Sequence, residues 1–177
     1  GKTFVDCYNA IKAYDTSRPV QYERNNDIVD MGSNQYPSIA WVQGAVKGTY
    51  KLKYPFHISE YAHSMGNACG NLIDYWNAIE STNFFMGGAI WDWVDQALDK
   101  RDPTTGKTYW AYGGDFGADN KPNDGMFCMN GILRPDFTPK AQYFEVKKVY
   151  QNVSVKAVEM KKGLGEIFNK KYFETLR

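Results

Sequence analysis

Short apolar runs that alternate with stretches of helical spacing constrain this chain more than any other feature. "RPVQYE" (18–23), "DIVDMGSNQYP" (27–37), "YPFHISEYA" (54–62) and "MGGAIWDWVDQ" (86–96) read as four strands. Around them, "KTFVDCYNAIKAYD" places Phe4, Val5, Tyr8 and Ile11 on one helical stripe, and Ser38 caps a helix carrying Ile39, Val42 and Val46 that ends near Gly48. "NLIDYWNAIESTN" and "TPKAQYFEVKKVYQ" repeat that spacing through Leu72, Ile73, Trp76 and Ile79, and through Tyr143, Val146 and Tyr150. Strands joined by helices run parallel, because a parallel return needs a long crossover, and both faces of the sheet are then covered. "ALDKRD" and "TYWAYGG" form a small hairpin about a Pro/Gly turn inside a long loop.

After Asn152 the texture changes. "VSVKAVEM" and "GEIFNKKYFETL", joined by "KKGLG", read as two antiparallel strands, too few to bury themselves. The pattern therefore predicts the second half of a (β/α)8 barrel over 1–152 and the first strands of a β-sandwich over 153–177. A helix-first start and a hairpin-last finish suggest an internal piece of a longer chain. An open four-stranded α/β sheet also fits the pattern alone.

Several function classes lose support. With 21 Lys plus Arg against 20 acidic residues, no charge excess points to nucleic acid or a membrane surface. Cys7, Cys69 and Cys128 are odd in number and widely spaced, unlike a disulfide framework or zinc site, and read as small buried hydrophobes. No apolar run is long enough to span a bilayer and no signal-peptide pattern opens the chain; the compartment stays open. The phosphate-loop, dinucleotide, zinc-protease and nucleophile-elbow motifs are all missing.

In a (β/α)8 barrel the reacting groups stand at the C-terminal ends of strands. Glu60 occupies that position, and strand alternation gives it the parity of Phe56 and Ile58; if those two fill the barrel interior, Glu60 points into the mouth above them. Tyr61, His63 and Asn67 lie near enough in sequence to partner its charge. The other strand ends carry Glu23 and Arg24, Tyr36, and Trp91, Asp92 and Trp93. Carboxylates, aromatics, amides and a lone His without a basic cluster suit a polyhydroxylated ligand.

"RPVQYE", "EYAHSMGN", "GGAIWDWVDQ", "YGGDFG" and "FCMNG", in this order, resemble the family 2 glycoside hydrolases, specifically the large multidomain β-galactosidases. The resemblance covers about residues 1–150, and the tail resembles the β-sandwich domain that follows the barrel in that family. It implies a retaining hydrolase of terminal β-D-galactosides with Glu60 as nucleophile, Tyr36 hydrogen-bonded to it, His63 contacting sugar hydroxyls and Trp91 as the wall under the ring. It implies a sodium site sharing the Phe127 backbone carbonyl and the Asn130 side chain, which supports the sugar 6-hydroxyl, and a magnesium site whose ligands lie upstream of this chain. The acid/base Glu and a further sodium ligand would also lie upstream, so the chain alone is expected to be inactive and to self-associate, whereas the complete enzyme is expected to be a homo-oligomer. Asp95 and Asp115 are candidates for a supporting role. Within the family, β-glucuronidase and β-mannosidase are the alternatives, and "HSMGN" favours the galactosidase; from another class, a non-catalytic sugar-binding or structural module is the alternative.

Overall fold

The computed structural model describes residues 1–24 and 27–176. Helix α1 spans Lys2–Tyr14, followed by β1 (Gly32–Gln35), α2 (Ile39–Val46), β2 (Phe56–Tyr61), α3 (Leu72–Glu80) and β3 (Phe85–Ile90). A hairpin of β4 (Leu98–Arg101) and β5 (Thr108–Ala111), helix α4 (Ala141–Val149) and a second hairpin of β6 (Val153–Glu159) and β7 (Leu164–Asn169) complete the order. The three strands β1, β2 and β3 form one parallel sheet in that order, and each hairpin is a separate antiparallel pair. The helices form where the spacing predicts, and Ser38 caps α2 by accepting a hydrogen bond from the Trp41 amide at 3.2 Å.

The expected strand at 18–23 belongs to none of these sheets among the described residues. Pro19 cannot donate to a ladder, and the segment is held beside β1 largely by side chains instead. Asp30 accepts from the Val20 amide at 2.7 Å, its own amide donates to the Val20 carbonyl at 2.9 Å, and Gln21 Nε2 donates to Ser33 Oγ at 2.8 Å. The expected fourth strand is thus a strap, and the parallel ladder has three.

Asp30 also anchors α1, which contributes no buried residue. Tyr8 donates its hydroxyl to Asp30 Oδ1 at 2.7 Å, and Lys12 Nζ lies 2.6 Å from Asp30 Oδ2. Lys12, then Tyr8 and the Val20 amide, hold the Asp30 carboxyl well below the usual carboxylate range. Because the folded chain favours the ionised form, this anchoring is complete above the ordinary Asp value of about 4 and is lost only as pH falls toward the depressed folded value. Replacing Asp30 with Asn is expected to speed amide exchange throughout α1 while leaving α3 protected; equal exchange in α1 of the two proteins would contradict the anchor.

The core lies between the sheet and helices α2, α3 and α4. Phe56, Ile58 and Tyr61 from β2 pack there with Val42, Ala45, Leu72, Ile79, Val146 and Val149. Phe56 and Ile58 therefore face the helices and do not fill a barrel interior, which corrects the parity expected from the sequence. His57 and Ser59 take the opposite face, where Ser59 Oγ bonds the Glu23 carboxylate. Tyr61 rejoins the core only because β2 is irregular: Asn34 pairs with Ile58 and the next residue, Gln35, with Glu60, so two residues of β2 oppose one step of β1. A bulge of this kind breaks the period of two and leaves Glu60 on the side away from the helices.

Candidate active site at the strand C-termini

Three chain segments bring side chains to one end of the parallel sheet. Tyr36 follows β1 directly, Glu60 is the penultimate residue of β2, and Trp91 follows β3 directly. The Tyr36 amide donates to the Glu60 carbonyl at 2.8 Å and the Trp91 amide to the Tyr61 carbonyl at 3.0 Å, so β2 is flanked to its tip by both neighbours. Tyr36 and Ala62 hold left-handed backbone at φ 49° and 52°. Such conformations cost an aromatic or alanyl residue roughly 1–3 kcal/mol each and persist where surrounding structure over-determines them. Here they turn the chain sharply just past the strand ends.

The Tyr36 hydroxyl faces the Glu60 carboxylate. Partial burial, then Glu60 and the charge of Asp92, push the Tyr36 hydroxyl far above its usual range. It therefore stays protonated and able to donate toward Glu60.

Behind Glu60, the buried Tyr61 hydroxyl meets the Tyr150 hydroxyl at 2.5 Å and accepts from Trp76 Nε1 at 2.8 Å. Burial pushes the Tyr61 hydroxyl up, so it too stays protonated. The strand tip is thus gripped on both faces.

His63 completes one wall. Its ring lies 6.1 Å from that of Tyr36 and 5.0 Å from that of Phe127, and its Nε2 lies 3.4 Å from Asn130 Nδ2. With the amide nitrogen turned toward the ring, Asn130 Nδ2 donates to His63 Nε2. Asn130 is only 2 % exposed, yet its Oδ1 has no hydrogen-bond partner among the described residues. An orphaned buried carbonyl oxygen costs about 1–3 kcal/mol, and it has the chemistry of a hard-cation or hydroxyl ligand. Phe127 sits in the short turn Gly125–Cys128, 55 % exposed, while Trp91 keeps 39 % of its surface open at the strand end.

Of the residues singled out from the sequence, Glu60, Tyr36, His63, Phe127 and Asn130 are linked by direct contacts, and Trp91 flanks the same strand tip. Asp92 joins them, its amide donating to the Asn130 carbonyl at 2.8 Å. Asp95 is buried in an ion pair with Lys140. Asp115 instead accepts from the Tyr112 amide at 2.9 Å within its own turn. Glu23 pairs with Ser59, further down the same face of the sheet. Lys140 drew no attention in the sequence, because a lysine after a proline at a helix start resembles any solvated residue.

Three parallel strands under a helical layer, with a carboxylate, a tyrosine hydroxyl, open aromatics and a buried amide gathered at their C-terminal ends, make an α/β protein whose strand ends suit a polar ligand. Comparison with known proteins narrows this class: residues 1–155 match the family model "Glycosyl hydrolases family 2, TIM barrel domain", and the chain belongs to that family. It is 41 % identical to a β-galactosidase of Priestia megaterium over 99 % of this chain and 17 % of that protein. It is 42 % identical to a β-galactosidase of Pseudoalteromonas haloplanktis over 82 % of this chain and 15 % of that protein. The chain thus spans about a sixth of the length of these relatives. In fold it resembles a family 2 β-galacturonidase from Eisenbergiella tayi, solved bound to galacturonate, with a TM-score of 0.53 and 18 % identity over 84 % of this chain and 30 % of that one.

Proposed function

We propose that the complete protein containing this chain is a retaining β-galactosidase and that Glu60 is its nucleophile. The observation that carries this reading is the Glu60 carboxylate at a parallel-strand C-terminus, faced by the Tyr36 hydroxyl and set among His63, Trp91 and Asn130. A Glu60 oxygen attacks the anomeric carbon as the glycosidic C–O bond breaks, and the departing oxygen takes a proton from a second carboxyl group supplied by residues outside this chain. Water then attacks the same carbon, yields its proton to that second group and releases Glu60 and galactose. Trp91 offers an apolar face to the ring, and His63 and Asn130 offer polar atoms to its hydroxyls.

The orphaned Asn130 Oδ1 has the chemistry of a sodium ligand, and in this reading the Phe127 carbonyl would be a second one. Bound there, sodium would supply a fixed positive charge for the sugar 6-hydroxyl. In this reading magnesium is held by residues outside the chain.

The carboxylate assignment is tested by trapping. The complete protein is incubated with an activated 2-deoxy-2-fluoro-β-galactoside, denatured, digested and sequenced by mass spectrometry. The label is expected on the peptide containing Glu60; a label on any other carboxylate overturns the assignment.

A further inference from the structure

We infer that Lys140 and Asp95 are positioning residues that set His63 against Asn130; this rests on the sugar-site reading above. Asp95 is 5 % exposed and its carboxylate is fully engaged: Lys140 Nζ donates to Oδ1 at 2.9 Å and to Oδ2 at 3.2 Å, and the Gly131 amide donates to Oδ1 at 2.8 Å. The same ammonium reaches the Ser64 carbonyl at 3.4 Å. Ser64 is the residue after His63, and Gly131 is the residue after Asn130. One ion pair therefore holds both walls of the site one residue away from the ring and the amide that meet at 3.4 Å.

The other ties leave this role to the pair. Ser64 donates its amide to the Trp91 carbonyl at 2.8 Å, and Asp92 donates to the Asn130 carbonyl at 2.8 Å, so each wall is separately hung on the segment after β3. Gln142 Nε2 donates to the Gly66 carbonyl at 2.5 Å, fixing the far end of the His63 loop to α4. Lys140 Nζ bonds both the Ser64 carbonyl in the His63 loop and the Asp95 carboxylate that holds the Gly131 amide. A buried ion pair is a poor source of stability, since apolar replacements of similar size often serve as well. What it supplies is direction: an ammonium has three protons, and here three acceptor oxygens from two segments surround it.

The test uses the complete protein with Asp95→Asn and Lys140→Met combined, which removes both charges and leaves neither ion alone. A misfolded fraction would lower kcat and leave KM unchanged, whereas a displaced sugar wall raises KM. KM for a galactoside is expected to rise on the order of tenfold or more, since a misplacement of ~1 Å can cost about a hundredfold. An unchanged KM, whatever happens to kcat, overturns the inference. If the wild-type protein itself turns over no galactoside, the sugar-site reading fails, and a second measurement decides the positioning alone. In the complete protein the His63 ring resonances are identified as those lost in His63→Asn. They are expected to shift when the Asp95→Asn, Lys140→Met pair is introduced; coincident resonances overturn the inference.

Discussion

Replacing Glu60 with glutamine is expected to lower galactoside turnover by the complete protein by about 10⁴-fold or more, the scale on which removing a reacting group from a cooperating set acts. Glutamine has the same shape and keeps an oxygen that can accept from the Tyr36 hydroxyl, so the site stays packed. In the proposed reaction it lacks the charge that would attack the anomeric carbon. Because the contact with Tyr36 survives, melting temperature should barely change, which separates lost chemistry from lost fold. Burial is the larger cause of the raised Tyr36 hydroxyl, with the negative Glu60 second, so in the variant Tyr36 should ionise at lower pH than in the wild type but still above a free tyrosine. Steady-state kinetics measures the first effect. A variant within tenfold of wild type would remove Glu60 from the reaction.

Most of the framework that presents Glu60 was legible in the sequence. Hydrophobic spacing located α1 to α4, the Ser38 cap fixed the start of α2, and the turn residues located both hairpins. Each of these is a local signal, set within a few residues of chain. The face on which Glu60 stands was not local. Alternation from Phe56 and Ile58 gave Glu60 their side, and those residues instead pack on the helices while the bulge at Ser59 and Glu60 turns the carboxylate away. A bulge is specified by two strands in register, so one strand's pattern cannot announce it.

Long-range polar pairing was equally hidden. Asp30 holds the 18–23 strap and α1 through contacts 10 and 22 residues apart, and Lys140 reaches Asp95 across 45 residues. The orphaned Asn130 Oδ1 is a fact of burial, which no single-residue pattern encodes. The residues that could be ranked for chemistry from the sequence were those at strand ends; the ones that hold them in place came only with the packing.

Gly131→Ala is expected to destabilise the fold more than any other single change of comparable size. A Cβ at Gly131 would lie 2.2 Å from the Asp95 nitrogen and from the Val94 carbonyl carbon, and 2.6 Å from Val94 Cα. These are backbone atoms and cannot swing aside, so the two segments must part. Parting them breaks a run of main-chain bonds: Ile132 to Asp92 at 2.9 Å, Leu133 to Trp93 at 3.0 Å and Asp95 to Leu133 at 2.9 Å. It also withdraws Ile132 and Leu133 from the core, where they are 1 % and 5 % exposed. The combined loss of buried bonds and packing places the cost at about 4 kcal/mol or more, in the range reserved for severe steric and core lesions. For a chain of this size that corresponds to a fall in melting temperature of roughly 8–16 °C. Gly70→Ala serves as the comparison, since a Cβ there meets nothing within 4 Å, and its cost should stay within about 0.5 kcal/mol. Thermal unfolding followed by circular dichroism distinguishes the two, and a Gly131→Ala melt within two degrees of wild type would mean that the 94–95 backbone yields. Because Asn130 precedes Gly131 and is bonded through Asp92, the same displacement moves its amide away from His63; stability and galactoside binding should therefore be lost together at this position.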